Sequence, residues 1–221
     1  KVGANGPLDA TLVQKGTLSL APGGGLVIET GELKSSAVAA TLSGAIRKIM
    51  DPAREGEIAL TATLKPGELS KWIPDLGLAG EPIPLSVKVG MKPGLITASG
   101  TTEVKLLTMT SKGIVKTAKS QPATFDVQMK GDDLVAKFRS AFVEWAEPAY
   151  GVKTGVEADL LYSPKGTSGT TKLVNLEVVD DKKNMVKEPA VTLKHDVGLA
   201  KESFEIRKAD IESGFLRGGL P

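Results

Sequence analysis

Cysteine is absent from this sequence. That excludes a disulfide framework, a thiolate metal site and a cysteine nucleophile; an oxidising compartment is permitted but not indicated. A single histidine, His195, excludes a multi-histidine metal cluster and leaves one candidate general base. Aromatic residues make up only 4% of the chain, so its apolar content is mostly Leu, Val, Ile and Ala. Charge of one sign is lacking too: 28 Lys and Arg stand against 26 Asp and Glu, a net +2. This balance does not fit a nucleic-acid footprint or a strongly basic membrane patch. No apolar run approaches the roughly 20 residues of a spanning helix. The chain begins Lys1-Val2-Gly3, without Met or an apolar leader. The expectation is therefore a mature or excised fragment that does not itself span a membrane.

What the sequence has in excess is glycine (25) and proline (13), which implies many turns. Its 221 residues suit one β-rich domain or two small ones. Period-two alternation recurs along most of the chain. Ile58, Leu60, Ala62 and Leu64 share one phase, as do Leu85, Val87, Val89 and Met91. The same holds for Phe125, Val127 and Met129, for Val156, Ala158, Leu160 and Tyr162, and for Val191, Leu193, His195 and Val197. Polar residues occupy most of the opposite phase, the pattern of antiparallel sheets with one wet face. Turn clusters separate the runs: 21–25, 91–94, 163–166 and 179–184. The predicted class is mainly β: an elongated, curled, groove-like antiparallel sheet, with a β-sandwich as alternative.

Two stretches break the alternation and predict short helices. Residues 66–73 read as a helical turn ending at Pro74. Residues 132–145 read as a longer helix, with an Asp pair at its start, Pro148 past its end, and Leu134, Phe138, Ala141, Phe142 and Trp145 on one face. Residues 35–50 fit either state, with strand favoured.

Segments also echo one another. Leu64–Trp72 resembles Met129–Phe138, Ser99-Gly100-Thr101-Thr102 returns as Ser168-Gly169-Thr170-Thr171, and Leu26–Ser35 resembles Phe204–Ser213. These echoes suggest repeated strand–helix–strand units in one continuous sheet: a partial unit at 1–55, a unit at 56–120 and a longer one at 121–221.

No catalytic constellation emerges. His195 and Asp196 are strand neighbours, so their side chains diverge and cannot form a base–orienter pair. Asp132-Asp133 is accounted for by a helix start and Asp180-Asp181 by a polar turn. Gly23-Gly24-Gly25 lacks the lysine and hydroxyl residue of a phosphate loop. Neither a metal nor a cofactor is called for, and the chain reads as a non-enzyme. A sheet with one aliphatic face must cover that face with something. Curled along its axis it becomes a trough suited to acyl chains, whose methylenes each contribute roughly 0.8 kcal/mol on burial without directional contacts. On periodicity alone, a closed sandwich is favoured instead. A lectin or carbohydrate-active enzyme ranks third, because neither aromatic platforms nor paired carboxylates are evident.

The order of motifs weighs the other way. An alternating strand is followed by Leu69-Ser70-Lys71-Trp72-Ile73-Pro74 or Leu134-Val135-Ala136-Lys137-Phe138. Next come Pro84-Leu85-Ser86-Val87-Lys88-Val89 and Ala98-Ser99-Gly100-Thr101-Thr102-Glu103-Val104-Lys105-Leu106. The chain closes from Lys187-Glu188-Pro189 through Phe204-Glu205-Ile206 to Ile211-Glu212-Ser213-Gly214-Phe215-Leu216. Over most of residues 7–220 this resembles the AsmA-like family of bacterial envelope proteins, the group of TamB-type and YhdP-type proteins. The resemblance implies a periplasmic β-groove, part of an inner-membrane-anchored protein, that shields phospholipid acyl chains during transfer between inner and outer membrane. It implies a role in outer membrane biogenesis, and bacterial membranes as partners through the parent protein. No nucleic acid is expected. The anchor is not in this chain, and the family offers no catalytic motif to carry over. The expected lipid-binding lining is Leu60, Leu64, Leu85, Val87, Val89, Phe125, Val127, Val156, Leu160, Leu193, Phe204 and Ile206, with the helix at 132–146 plugging or flanking the trough.

Overall fold

A computed structural model describes residues 10–73, 75–200, 203–214 and 217–220, without the side chains of 200, 203, 204, 217, 219 and 220. Pro74, Phe215, Leu216 and residues 1–9 lie outside it. Sixteen strands form one antiparallel sheet. They are β1 (Ala10–Leu18), β2 (Leu26–Ser35), β3 (Val38–Arg47), β4 (Glu55–Leu64), β5 (Gly77–Gly80), β6 (Ile83–Lys92), β7 (Leu95–Thr102) and β8 (Leu107–Ser111). The others are β9 (Ile114–Ser120), β10 (Ala123–Lys130), β11 (Asp133–Glu147), β12 (Tyr150–Ser163), β13 (Gly166–Asp180), β14 (Met185–Ala200), β15 (Ser203–Glu212) and β16 (Arg217–Leu220). A helical turn α1 (Pro66–Leu69) runs into a 3₁₀ turn over Ser70–Trp72. Proline at its first position fits the fixed φ of a helix start, where its missing N–H costs nothing.

Thirteen strands lie side by side in the order β1-β2-β3-β4-β6-β7-β10-β11-β12-β13-β14-β15-β16. At about 4.8 Å between neighbours this path extends roughly 58 Å. The sheet forks at β11. The first half of that strand pairs with β10, and Val143–Ala146 pair instead with β9, which carries β8 and then β5. The fork sits on a bulge, where Ala141 and Phe142 together face Gly155 of β12. Such a bulge bends its strand and raises the local twist.

The helix expected over 132–145 is not formed; that stretch is β11, hairpinned to β10 through Gly131, whose φ is +60°. The reason lies in the period. Leu134, Ala136, Phe138 and Ser140 alternate as a strand requires, and a spacing of four fits a strand as well as a helix. The bulge then inverts the parity, bringing Val143 and Trp145 onto the face of Phe138, so a bent strand mimicked a 3.6-residue period. One helical turn is therefore found where two short helices were expected, and the strand–helix–strand unit does not recur with its helix.

No second layer covers the sheet among the described residues. Every substantial contact between elements joins sheet neighbours or involves α1 and the 3₁₀ turn. The buried apolar residues are few: Ile28, Ala37, Ile46, Ala123 and Ala158. The alternative sandwich is thus not what the chain forms.

Candidate functional site

Cross-strand partners in a sheet share a face, so the register assigns every side chain. One lateral row runs Leu42, Leu60, Val87, Gly100, Phe125, Phe138, Ala158, Thr171, Leu193 and Ile211. Beside it runs Ile58, Val89, Ala98, Val127, Ala136, Leu160, Gly169, His195 and Ala209. On its other side lie Ala62, Leu85, Thr102, Ala123, Ser140, Val156, Leu173 and Val191. A bulkier margin follows near the hairpin turns: Ile46, Gly56, Met91, Ile96, Met129, Leu134, Tyr162, Thr167, Val197 and Ile206. The result is one aliphatic face, continuous across the strands.

The register therefore brings the expected lining residues together. Leu60, Leu64, Leu85, Val87, Val89, Phe125, Val127 and Val156 are half-buried. Leu160, Leu193 and Ile206 are exposed, the last two by 40% and 48%. Leu64 pairs with Val38 and Ile83 at the edge of the patch. Phe204 pairs with Leu199 in the register, and its side chain lies outside the described residues. Sequence reasoning missed Leu42, Leu134 and Phe138. The last two were assigned to a helix flanking the face, whereas β11 is part of its floor. Their strand-compatible spacing was the available signal.

Two glycines shape this floor. A Cβ on Gly100 would stand 2.4 Å from Cζ of Phe125 and 2.3 Å from the Ser86 carbonyl oxygen, so the phenyl ring lies over the glycine. A Cβ on Gly169 would meet Leu160 Cδ2 at 2.7 Å and His195 Cε1 at 3.2 Å. The repeated Ser-Gly-Thr-Thr thus serves the same end in β7 and β13: a gap in the floor, filled by a large neighbour.

The opposite face is polar. A row through Lys88, Ser99, Asp126, Lys137, Asp159, Thr170, Lys194 and Asp210 mixes both signs. Arg139 Nη2 donates to both carboxylate oxygens of Asp159 at 2.9 and 2.7 Å, and Lys187 meets Glu177 at 2.7 Å. Exposed pairs of this kind contribute about 0–1 kcal/mol each, so they set solubility and register more than stability. A shallow trough of about 530 Å³ lies on this side over β2–β7. Thr41, Thr61, Thr63, Ser86 and Thr101 line it, with Pro84, Glu103 and Pro122, and Leu85 is the one expected lining residue that borders it. The Thr41 and Thr61 hydroxyls are hydrogen-bonded to each other.

The remaining candidates resolve into structure. His195 stands on the aliphatic face between Gly169 and Ala209, while Asp196 stands on the other, 3.9 Å from Arg207. Asp180 accepts hydrogen bonds from the backbone N–H and side-chain amide of Asn184, both at 2.7 Å, which hold its carboxyl below the ordinary range. At the far end of β11, Glu147 is held low by the Tyr150 hydroxyl and then by Lys116, whose ammonium lies 3.2 Å away. Lys116 also stands 5.6 Å from the Trp145 ring centroid, within cation–π range. Among the described residues no group of three or more His, Asp or Glu side chains could hold a metal ion. No helix is long and apolar enough to cross a membrane. No protein-family model, curated protein or solved structure matches the chain.

Proposed function

We propose that this chain is a lipid-binding segment of a bacterial envelope protein of AsmA-like type, and that its aliphatic face shields phospholipid acyl chains in the periplasm during transfer between the two membranes. One observation carries the reading: a continuous aliphatic face, with no protein layer over it among the described residues, crosses a sheet path of thirteen strands. An exposed apolar surface of this extent marks an interaction site. Its chemistry favours hydrocarbon. The rows offer methyl and phenyl groups, few polar side chains interrupt them, and Ser140 and Thr154 spend their hydroxyls on backbone carbonyls. A surface without directional contacts holds an acyl chain through burial alone, at roughly 0.8 kcal/mol per methylene, and permits sliding. The path of roughly 58 Å exceeds the hydrocarbon thickness of a bilayer, about 30 Å, as a conduit segment requires.

Native mass spectrometry of the chain purified from a Gram-negative host tests this reading. Phospholipid adducts that survive gentle desolvation are the expected result. A lipid-free spectrum, with no uptake from added phospholipid vesicles, would overturn it.

A further inference from the structure

The sheet has three outer strands, and they are unequal. β16 closes one edge and β5 closes the fork, and each is four residues long. Short strands are a standard protection against edge-to-edge pairing. β1 is nine residues long and exposed at every position, with Leu12 68%, Val13 60% and Leu18 61% accessible. It has no proline, and its one charged side chain, Lys15, is paired with Glu29 at 2.7 Å. The irregularity in its ladder lies on the other strand: Lys15 pairs with Thr30 and Gly16 with Ile28, so the extra residue is Glu29 of β2 and β1 itself stays regular. None of the usual devices guards this edge.

We propose that the free edge of β1 pairs antiparallel with β1 of a second copy of this chain, about a two-fold axis at Gln14. The strand is self-complementary in that register. Thr11 faces Thr17, Val13 faces Lys15, Leu12 faces Gly16 and Gln14 faces Gln14, so no like charges stand opposite. Centring on Lys15 instead would set two lysines against each other, which is destabilising. Leu12, Gln14, Gly16 and Leu18 all belong to the aliphatic face through their partners on β2 and β3. Even positions meet even positions in the proposed register, so the aliphatic faces of the two copies join on the same side. Such a contact is isologous and closes at a dimer.

Light scattering of the purified chain over its full soluble concentration range is the test, with two variants. Val13→Lys adds a cation opposite Lys15 of the other copy, and weakening of the dimer by about tenfold or more is expected. Val13→Glu places an anion there and should preserve it. Because the chain contains no cysteine, Gln14→Cys should give a disulfide dimer on mild oxidation, while Thr124→Cys, in the middle of the sheet, should not. A monomer at every concentration would overturn the proposal, as would equal behaviour of the two Val13 variants. Open-ended growth into fibres would overturn it too, since that signals pairing of β1 with a different edge.

Discussion

At the scale of single residues, the account rests on side chains that must share a face and on glycines that let them lie flat. Gly100→Ala should destabilise the sheet by about 1–3 kcal/mol, because the new methyl collides with both the Ser86 carbonyl and the Phe125 ring. Urea titration followed by far-ultraviolet circular dichroism would measure the loss. Substituting Val127 by aspartate has a different expected outcome. Val127 is half-buried in a single layer, so the chain should stay folded while phospholipid uptake falls. An unfolded variant would imply a closed core. Electrostatics make a smaller contribution with a definite sign. The Tyr150 hydroxyl and Lys116 depress the titration of Glu147 in the folded chain, so their stabilisation is present above the unfolded value of about 4.3 and is lost as pH falls through the lower folded value. Trp145 shares Lys116 with that carboxylate. A change in tryptophan fluorescence below about pH 4 is therefore expected, and Glu147→Gln should remove it.

At the scale of elements, β11 shows what periodicity reveals and where it stops. The strands β4, β6, β10, β12 and β14 alternate cleanly, and their inward phases were legible in the sequence residue by residue. β11 was not legible, because its bulge converts an odd step into an even one and leaves Leu134, Phe138 and Trp145 at spacings a helix also uses. A bulge is a property of the paired strands, here of Gly155 facing two residues, and one strand's sequence does not carry it. Deleting Ala141 would restore one-to-one pairing with β12 while keeping Trp145 opposite Val152. The bend at the fork should then relax, weakening the β9 ladder. Hydrogen exchange should accelerate at Thr117–Lys119 and change little in β12 and β13; equal protection throughout would show that the bulge does not support the fork.

At the scale of the whole molecule, the sequence announced one wet and one aliphatic face but could not decide between a single sheet and a sandwich. Both have the same alternation, and only the partner of the aliphatic face differs. The thirteen-strand path, its fork and the near absence of buried large side chains answer that question through long-range pairing, which no local pattern encodes. The side of local concavity was equally hidden: the trough over β2–β7 lies on the hydroxyl face, whereas alternation only separates the faces and does not say which way the sheet bends. A single layer with so little core should also gain stability from whatever binds it, so phospholipid in excess should raise the thermal midpoint. An unchanged midpoint at saturating lipid would argue against binding to the folded state.

Photo-crosslinking that resolves the two faces tests the central claim most directly. A photoreactive residue is placed in turn at Val87, Val127, Ser86 and Asp126, and the chain is irradiated with phospholipid vesicles. Lipid adducts from 87 and 127, with few from 86 and 126, are the predicted result. Equal labelling of both pairs, or labelling confined to 86 and 126, would contradict it.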